Sequence, residues 1–325
     1  MMGVTLKNIA SQLGLSYTTV SRALNDHKEI KTSTRKLVKE TADSMGYVPN
    51  SIAQGLVMKK TKTLGLILPD ITDGFMAELA REIEIVSNRA GYTIFLCNTN
   101  WSKERTRDYV KKLIERRVDG IIMIPTSNDI SFLETALKYD TRIIFIGSSL
   151  KKIEVKSIQV DNYKAIKIAI FHLLGKNKRK IAYLGGGKEL FANEERFMAF
   201  KNILTDNNLF DPKLVANSHE IRKDGYLLVE ELLKKNIKFD SIIAFNDIIA
   251  MGAIKKLKEL NIKVPEDVAV IGFDDSPISK FLGDGLSTIK QPIEEMARLA
   301  FNEVIKSKDN KRILLDPIFI HRSSS

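Results

Sequence analysis

The chain has one cysteine, Cys97, and four histidines, His27, His172, His219 and His321, scattered without the spacing that a metal site needs. A single cysteine excludes an intramolecular disulfide, and its place in the apolar run Thr93–Cys97 reads as a small buried hydrophobe. No run approaches the ~20 apolar residues of a membrane span. The first residues are polar and lack the apolar core of a secretion signal. No low-complexity segment occurs, and nothing implies a metal or another cofactor. These absences predict a soluble chain of a reducing cytoplasm with no membrane partner. What is present fits that: 325 residues, 44% hydrophobic, are enough for a small domain and two larger lobes.

The N-terminal segment carries the most specific pattern. Ile9, Ala10 and Leu13 form one apolar helical stripe, and Val20, Ala23 and Leu24 form the next. Thr5 and Ser16 precede the two runs as N-caps, and Gly14 supplies the turn between them. Such a pair is a helix-turn-helix, whose second helix can lie in a DNA major groove. Tyr17, Thr18, Ser21, Arg22 and Asn25 fall on its outer face, with the donors and acceptors that read base edges and phosphates. A third helix is predicted after them: capped by Thr32 or Ser33, facing inward with Leu37, Val38, Ala42 and Met45, and closed by Gly46. Charge agrees. Residues 1–62 hold ten Lys or Arg and four acids, a net +6, against +11 for the whole chain. More than half of the excess therefore sits in a fifth of the length, as attraction to phosphates requires.

Seven strings, in order along almost the full length, resemble the lactose-repressor (LacI/GalR) family: VTLKNIASQLGLSYTTVSRALND at 4–26, GYVPNSIAQGLVMKKTKTLGLILPD at 46–70, DGIIMIP at 119–125, ERFMAF at 195–200, AFNDIIAMG at 244–252, VAVIGFDD at 268–275 and TIKQP at 288–292. The resemblance implies a headpiece at 1–49, a hinge helix and linker at 50–62, and an effector-binding and dimerisation core at 63–325. It implies a homodimer on a palindromic double-stranded operator, contacted by Thr5, Ser16 and the outer face of the second helix, and by Asn50, Ala53 and Leu56 of the hinge. In the family a leucine at the place of Leu56 wedges into the minor groove. The residues explain why such a hinge would be conditional. Ser51–Val57 is under two turns, where isolated helices are marginal, and Gly55 costs about 1 kcal/mol against Ala. Gln54 stands where an Arg is common, which removes a phosphate contact.

From Thr63 the pattern alternates. Strands are predicted at Leu64–Leu68, Tyr92–Cys97, Val118–Ile124 and Arg142–Ile146, with helices at Phe75–Arg89, Lys103–Arg116 and Ile130–Tyr139. The rhythm restarts with strands at Lys180–Leu184, Asp240–Phe245 and Val268–Phe273 and helices at Glu194–Leu204, Asp224–Lys235 and Asp247–Leu260. Two such series give an α/β fold of two doubly wound parallel sheets, a first lobe at about 63–161 and 292–320 and a second at about 162–290 with the C-terminal tail. Ligands of these sheets sit beyond the C-terminal strand ends. Carboxylates, amides and one Arg gather there: Asp73, Ser148, Arg196, Asn246 and Asp274, with Phe75 beside them, a set suited to a polyhydroxylated molecule. By the resemblance Arg196, Asn246 and Asp274 contact a small-molecule effector, a sugar or sugar derivative, and Asp73, Phe75 and Ser148 line the opposite wall. The residues alone leave a plainer reading open, in which Asn246 and Asp274 cap helices and Arg196 pairs with Glu195 on the surface. Gly185–Gly187 lacks the spacing of a phosphate loop and reads as a tight turn. Glu220 stands where relatives carry an aromatic ring, which weakens any transfer of effector identity.

Three functions compete: an effector-controlled transcription factor, most simply a repressor; a solute-binding protein; and a hydrolase using Asp274 with Glu194 or Glu195. The headpiece favours the first. Within it, the stretch at 53–70 also resembles catabolite-control regulators, which work with a phosphoprotein corepressor.

Overall fold

The computed structural model describes residues 4–48, 60–126, 133, 136, 138–139, 141–148, 155–187, 191–217, 225–280, 285–306 and 311–325. The chain forms two units, Met1–Thr61 and Lys62–Ser325.

Among the described residues the first unit has three helices, α1 (Leu6–Leu13), α2 (Tyr17–Leu24) and α3 (Thr32–Ser44). Thr5 starts α1 with a reciprocal cap: its hydroxyl accepts from the Asn8 amide, and the Asn8 side chain accepts from the Thr5 amide at 2.9 Å. Ser16 starts α2 by accepting from the Thr19 amide at 3.0 Å. Gly14 takes the left-handed conformation, φ +61°, that the tight turn needs. Ile9, Ala10, Val20, Ala23, Val38 and Ala42 are the buried core. Two expectations fail in α3. Thr32 is already its first residue, and the N-cap is Lys31 with no side-chain bond. Leu37 is 49% exposed, because Val38 and Ala42 define the inward stripe and the neighbouring position points about 100° away from it. The hinge positions Asn50, Ala53 and Leu56 lie outside the described residues.

The second unit carries two six-stranded sheets. The first holds β1 (Thr63–Leu68), β2 (Thr93–Asn98), β3 (Gly120–Met123), β4 (Ile143–Ile146), β5 (Ser157–Val160) and β11 (Arg312–Leu315), in the order β11-β5-β4-β3-β1-β2, all parallel. The second holds β6 (Ile181–Gly185), β7 (Val215–Asn217), β8 (Ser241–Ala244), β9 (Ala269–Asp274), β10 (Ser287–Lys290) and β12 (Ile318–Ile320), in the order β12-β10-β9-β8-β6-β7. Its one antiparallel pair is β10 with β12. Among the described residues seven helices clothe the sheets: α4 (Gly74–Arg89), α5 (Lys103–Glu115), α6 (Asn162–Gly175), α7 (Phe191–Asp206), α8 (Gly225–Lys234), α9 (Asp247–Glu259) and α10 (Ile293–Lys306). The helix expected at 130–139 lies mostly outside the described residues, although Leu133 and Ala136 are buried in the first lobe.

The chain crosses between lobes three times, at β5 to α6, β10 to α10 and β11 to β12. α10 returns to the first lobe and buries Met296, Ala297, Ala300 and Val304 against the first sheet. The return is shorter than expected. It ends at Leu315, and Ile318–Ile320 pairs with β10 in the second sheet, so the segment 292–320 is split between lobes. The strand cores are nearly continuous apolar runs, as sheets covered on both faces require.

Candidate functional site

On the headpiece, Tyr17 is 53% exposed, and Thr18 and Arg22 are exposed beside it. Ser21 and Asn25 are half-buried, with the Asn25 amide donating to the Ser21 carbonyl at 2.9 Å. Arg22 forms an ion pair with Glu29 at 2.9 Å. Both partners are well exposed, so the pair is weak and gives way easily to a phosphate or a base. Thr5 and Ser16 are spent first on capping, which fixes where the outer face of α2 points.

In the core, the ends of both sheets open onto a cavity of about 690 Å³ between the lobes. Asp73, Phe75, Ser148, Arg196, Asn246 and Asp274, far apart in sequence, all line it. Arg196 is 4% exposed and stacked against Phe273, its guanidinium carbon 3.4 Å from the ring centre, with the Phe245 ring at 4.8 Å. Its Nε donates to Asn162 Oδ1 at 3.0 Å and its Nη1 to the Phe245 carbonyl. Pairing with Glu195 does not occur. Glu195 instead accepts from Asn162, Gln159 and Arg312 at 2.7–3.1 Å. Asp274 accepts from Gln291 Nε2 at 2.6 Å. Asn246 does cap α9, accepting from the Ile249 amide at 2.9 Å, and Asp73 caps α4 through the Met76 amide at 3.1 Å.

Capping does not exhaust these groups. Arg196 Nη2, Asn246 Nδ2 and Asp274 Oδ2 have no protein partner among the described residues. Each side chain uses one arm to fix its orientation and leaves the other for a ligand, so donors and an acceptor converge on one space. The electrostatics show the cost of gathering them. Burial pushes the Asp274 carboxyl well up from its ordinary value, against the pull of Arg196, and Asp247 and Asp73 push it further. Asp73 is also raised by burial, opposed by the Met76 and Phe75 amides. Behind them, burial lifts Asp247 to about 6, although Thr288 Oγ1 at 2.6 Å and the Ser276 amide and hydroxyl at 2.8 and 2.9 Å donate to it. Burial likewise lowers the Arg196 pKa, opposed by Asp274.

Several lining residues were not singled out from sequence. Gln291 lies in the 288–292 string, and Trp101 follows β2 with φ +63°, but neither carries a local signal of its role. Asn162, behind the lining, links Arg196 to Glu195, a role visible only once α6 packs against α7. Gly186 is required by close approach, since a Cβ there would sit 2.8 Å from the Phe245 ring. Among the described residues no group of three or more His, Cys, Asp or Glu could hold a metal ion. No described helix is long and apolar enough to cross a membrane.

Comparison with known proteins decides the family. Residues 5–50 match the profile "Bacterial regulatory proteins, lacI family", and residues 170–325 match "Periplasmic binding protein-like domain". The chain is 32% identical over 321 residues to the HTH-type transcriptional regulator RegA of Clostridium saccharobutylicum, covering 98% of this chain and 96% of that protein. This chain belongs to the LacI family. Its fold matches a crystal structure of the Lac repressor dimer bound to operator and the anti-inducer ONPF, with a TM-score of 0.87, 21% identity and 99% of each chain covered. It also matches a LacI-type regulator of Alkaliphilus metalliredigens complexed with D-xylulofuranose, with a TM-score of 0.71, 29% identity, and 81% of this chain and 99% of that one covered. A LacI-family chain is a transcriptional regulator and not an enzyme.

Proposed function

We propose that this chain is a repressor that binds a palindromic operator as a homodimer and changes its grip when a sugar or a close derivative occupies the cleft. The observation that carries the effector half is Arg196. It is locked by Phe273, Asn162 and the Phe245 carbonyl, yet keeps one nitrogen for the cavity. Beside that nitrogen, Asn246 and Asp274 each keep one atom, so vicinal hydroxyls can donate and accept at once. Asp73, Phe75 and Ser148 supply the wall of the other lobe. A ligand that touches both walls stabilises the closed arrangement, and only such differential affinity can move the equilibrium.

On the DNA side, Tyr17, Thr18, Ser21, Arg22 and Asn25 read the major groove, Thr5 and Ser16 meet the backbone, and Asn50, Ala53 and Leu56 engage the centre of the operator. Selection from random duplexes tests this reading. The expected product is an inverted repeat bound about 10³-fold or more above random DNA. Sugars should change that affinity through a coupling of roughly 1–3 kcal/mol, which Arg196→Ala or Asp274→Asn removes. No sequence preference, or an affinity untouched by every sugar, would overturn it.

A further inference from the structure

One carboxylate is bonded to both sides of a crossover between the lobes. Gln159 lies near the end of β5 in the first lobe, and Asn162 opens α6 in the second, so the two flank the crossover at Val160–Asp161. Glu195 Oε2 accepts from Gln159 Nε2 at 3.1 Å and from Asn162 Nδ2 at 2.7 Å. Its other oxygen accepts from Arg312 Nη2 at 3.0 Å. Arg312 opens β11, the strand that leads into another crossover. Glu195 belongs to α7 of the second lobe, so two of its three donors reach it from the first. Gln159 and Asn162 are buried, and Gln159 Oε1 finds no partner among the described residues, so the bond to Glu195 is what orients that side chain. On its far side Asn162 Oδ1 accepts from Arg196 Nε at 3.0 Å. An unbroken run of bonds thus leads from β5 and β11, through Glu195 and Asn162, to the guanidinium that lines the cleft.

We infer that Glu195 is a latch between the lobes, a positioning residue that fixes the lobe angle and the orientation of Arg196 together. Lobe closure turns on a few residues at crossovers, which absorb the change in backbone angle. Here such a turn moves Gln159 and Arg312 relative to Glu195, and the carboxylate they release is the one that holds Asn162 behind Arg196. Bonds to a carboxylate are stronger than neutral ones, and three on one group reinforce each other. That Arg196 meets an effector rests on the function proposed above; the latch acts whether or not the cleft is filled.

Trp101 is the only tryptophan and lines the cleft, so acrylamide quenching of its fluorescence in the full-length protein reports how far the cleft opens, with no ligand added. Glu195→Ala removes all three bonds and should raise the quenching constant about twofold or more. Arg312→Gln removes one and should raise it less. Combined with Glu195→Ala, Arg312→Gln should add nothing, because their shared contact has already gone. Lys164→Gln is the control. It breaks an ion pair of 2.6 Å between α6 and Asp316 of the β11–β12 crossover, exposed on both sides and too solvated to hold the lobes, and should leave quenching unchanged. If Glu195→Ala does not fold, the contrast between Arg312→Gln and Lys164→Gln decides. Quenching untouched by the latch variants, additive effects of Glu195→Ala and Arg312→Gln, or an equal rise in Lys164→Gln overturns the latch. A cleft that binds no sugar overturns the effector reading instead and leaves these quenching outcomes as they are.

Discussion

The outer face of α2 and the inner end of the cleft use similar side chains, an arginine, an asparagine and hydroxyls, but hold them under opposite conditions. Arg22 is exposed and shares a weak pair with Glu29, whereas Arg196 is 4% exposed, stacked on a ring and bonded twice. Carboxylates differ in the same way. Asp26 of the headpiece is exposed, and its hydrogen bond from Lys39 at 2.7 Å holds its pKa below the ordinary value. Asp247 and Asp274 are buried and Asp73 is half-buried, and all three are raised. A surface that meets a polyanion can leave its groups solvated and let the partner order them. A cleft that must recognise a small neutral molecule orients its groups beforehand, at the expense of desolvation.

The largest expected difference follows from that contrast. Arg196→Ala leaves Asp274 without its cation and takes the stacking partner from Phe273. Removing one member of a buried charge cluster costs about 3–5 kcal/mol. Trp101 fluorescence during chemical denaturation, which reports the core unit alone, should show a loss of that order. Arg22→Ala should leave the same transition within about 0.5 kcal/mol. Similar stabilities for the two variants would erase the distinction.

Acidity sharpens it next. A carboxyl raised in the folded state binds its proton more tightly folded than unfolded. Its contribution to stability is fully present below the unfolded pKa near 3.8 and is lost as pH climbs through about 6, the value for Asp247. That contribution is on the order of 3 kcal/mol. Asp73 and Asp274 act in the same direction. Asp26 has the opposite sign: its contribution is present above 3.8 and fades only as pH falls through its lowered pKa. Denaturation midpoints of the core should therefore be higher at pH 5 than at pH 7.5, and Asp247→Asn should flatten the difference. A core that weakens steadily from pH 7.5 to 5 would contradict the burial argument.

How much of this was readable beforehand depends on whether the cause is local. Thr5, Ser16 and Gly14 act within three or four residues, so the headpiece helices are legible in the chain. The buried strands β1, β6, β8 and β9 announce themselves as apolar runs. The cleft residues Arg196, Asn246 and Asp274 were located through family resemblance, because their local surroundings equally allow caps and surface pairs. Asn162 and Gln291 were missed, since each acts on a residue brought near by crossover topology. α6 escaped notice because its apolar residues Ala165, Ile166, Ala169, Ile170 and Leu173 form a broad band with little contrast between faces. β12 pairs with β10 about thirty residues earlier, through a contact that no local pattern encodes. Leu37 shows the reverse error, an apolar residue assigned to the core by type when its phase on the helix places it outside.

The operator face gives the third test. Arg22→Ala should cost ~1–3 kcal/mol on the selected operator and relax preference at one base position, measured by competition binding. An equal loss on random DNA would reduce Arg22 to a phosphate contact, the kind of unspecific role that exposure alone permits.

The smallest effect separates two duties that one side chain combines. Ser16 caps α2 through the Thr19 amide, and the same residue is assigned to the DNA backbone. Ser16→Ala should destabilise the headpiece by about 1 kcal/mol, seen in far-UV melting, with the Trp101 transition of the core unmoved. Ser16→Asn and Ser16→Asp are both good caps and should restore the headpiece. Their operator affinities should then differ. Asn leaves the charge unchanged, whereas Asp sets a carboxylate against phosphates and should bind worse than Ala, more so at low salt. If Asn restores stability and full operator affinity, the hydroxyl matters only as a cap. If it restores stability alone, the hydroxyl is itself a DNA contact. Should Asp bind as well as Asn at low salt, position 16 does not face the backbone, and the orientation assigned to α2 fails with it.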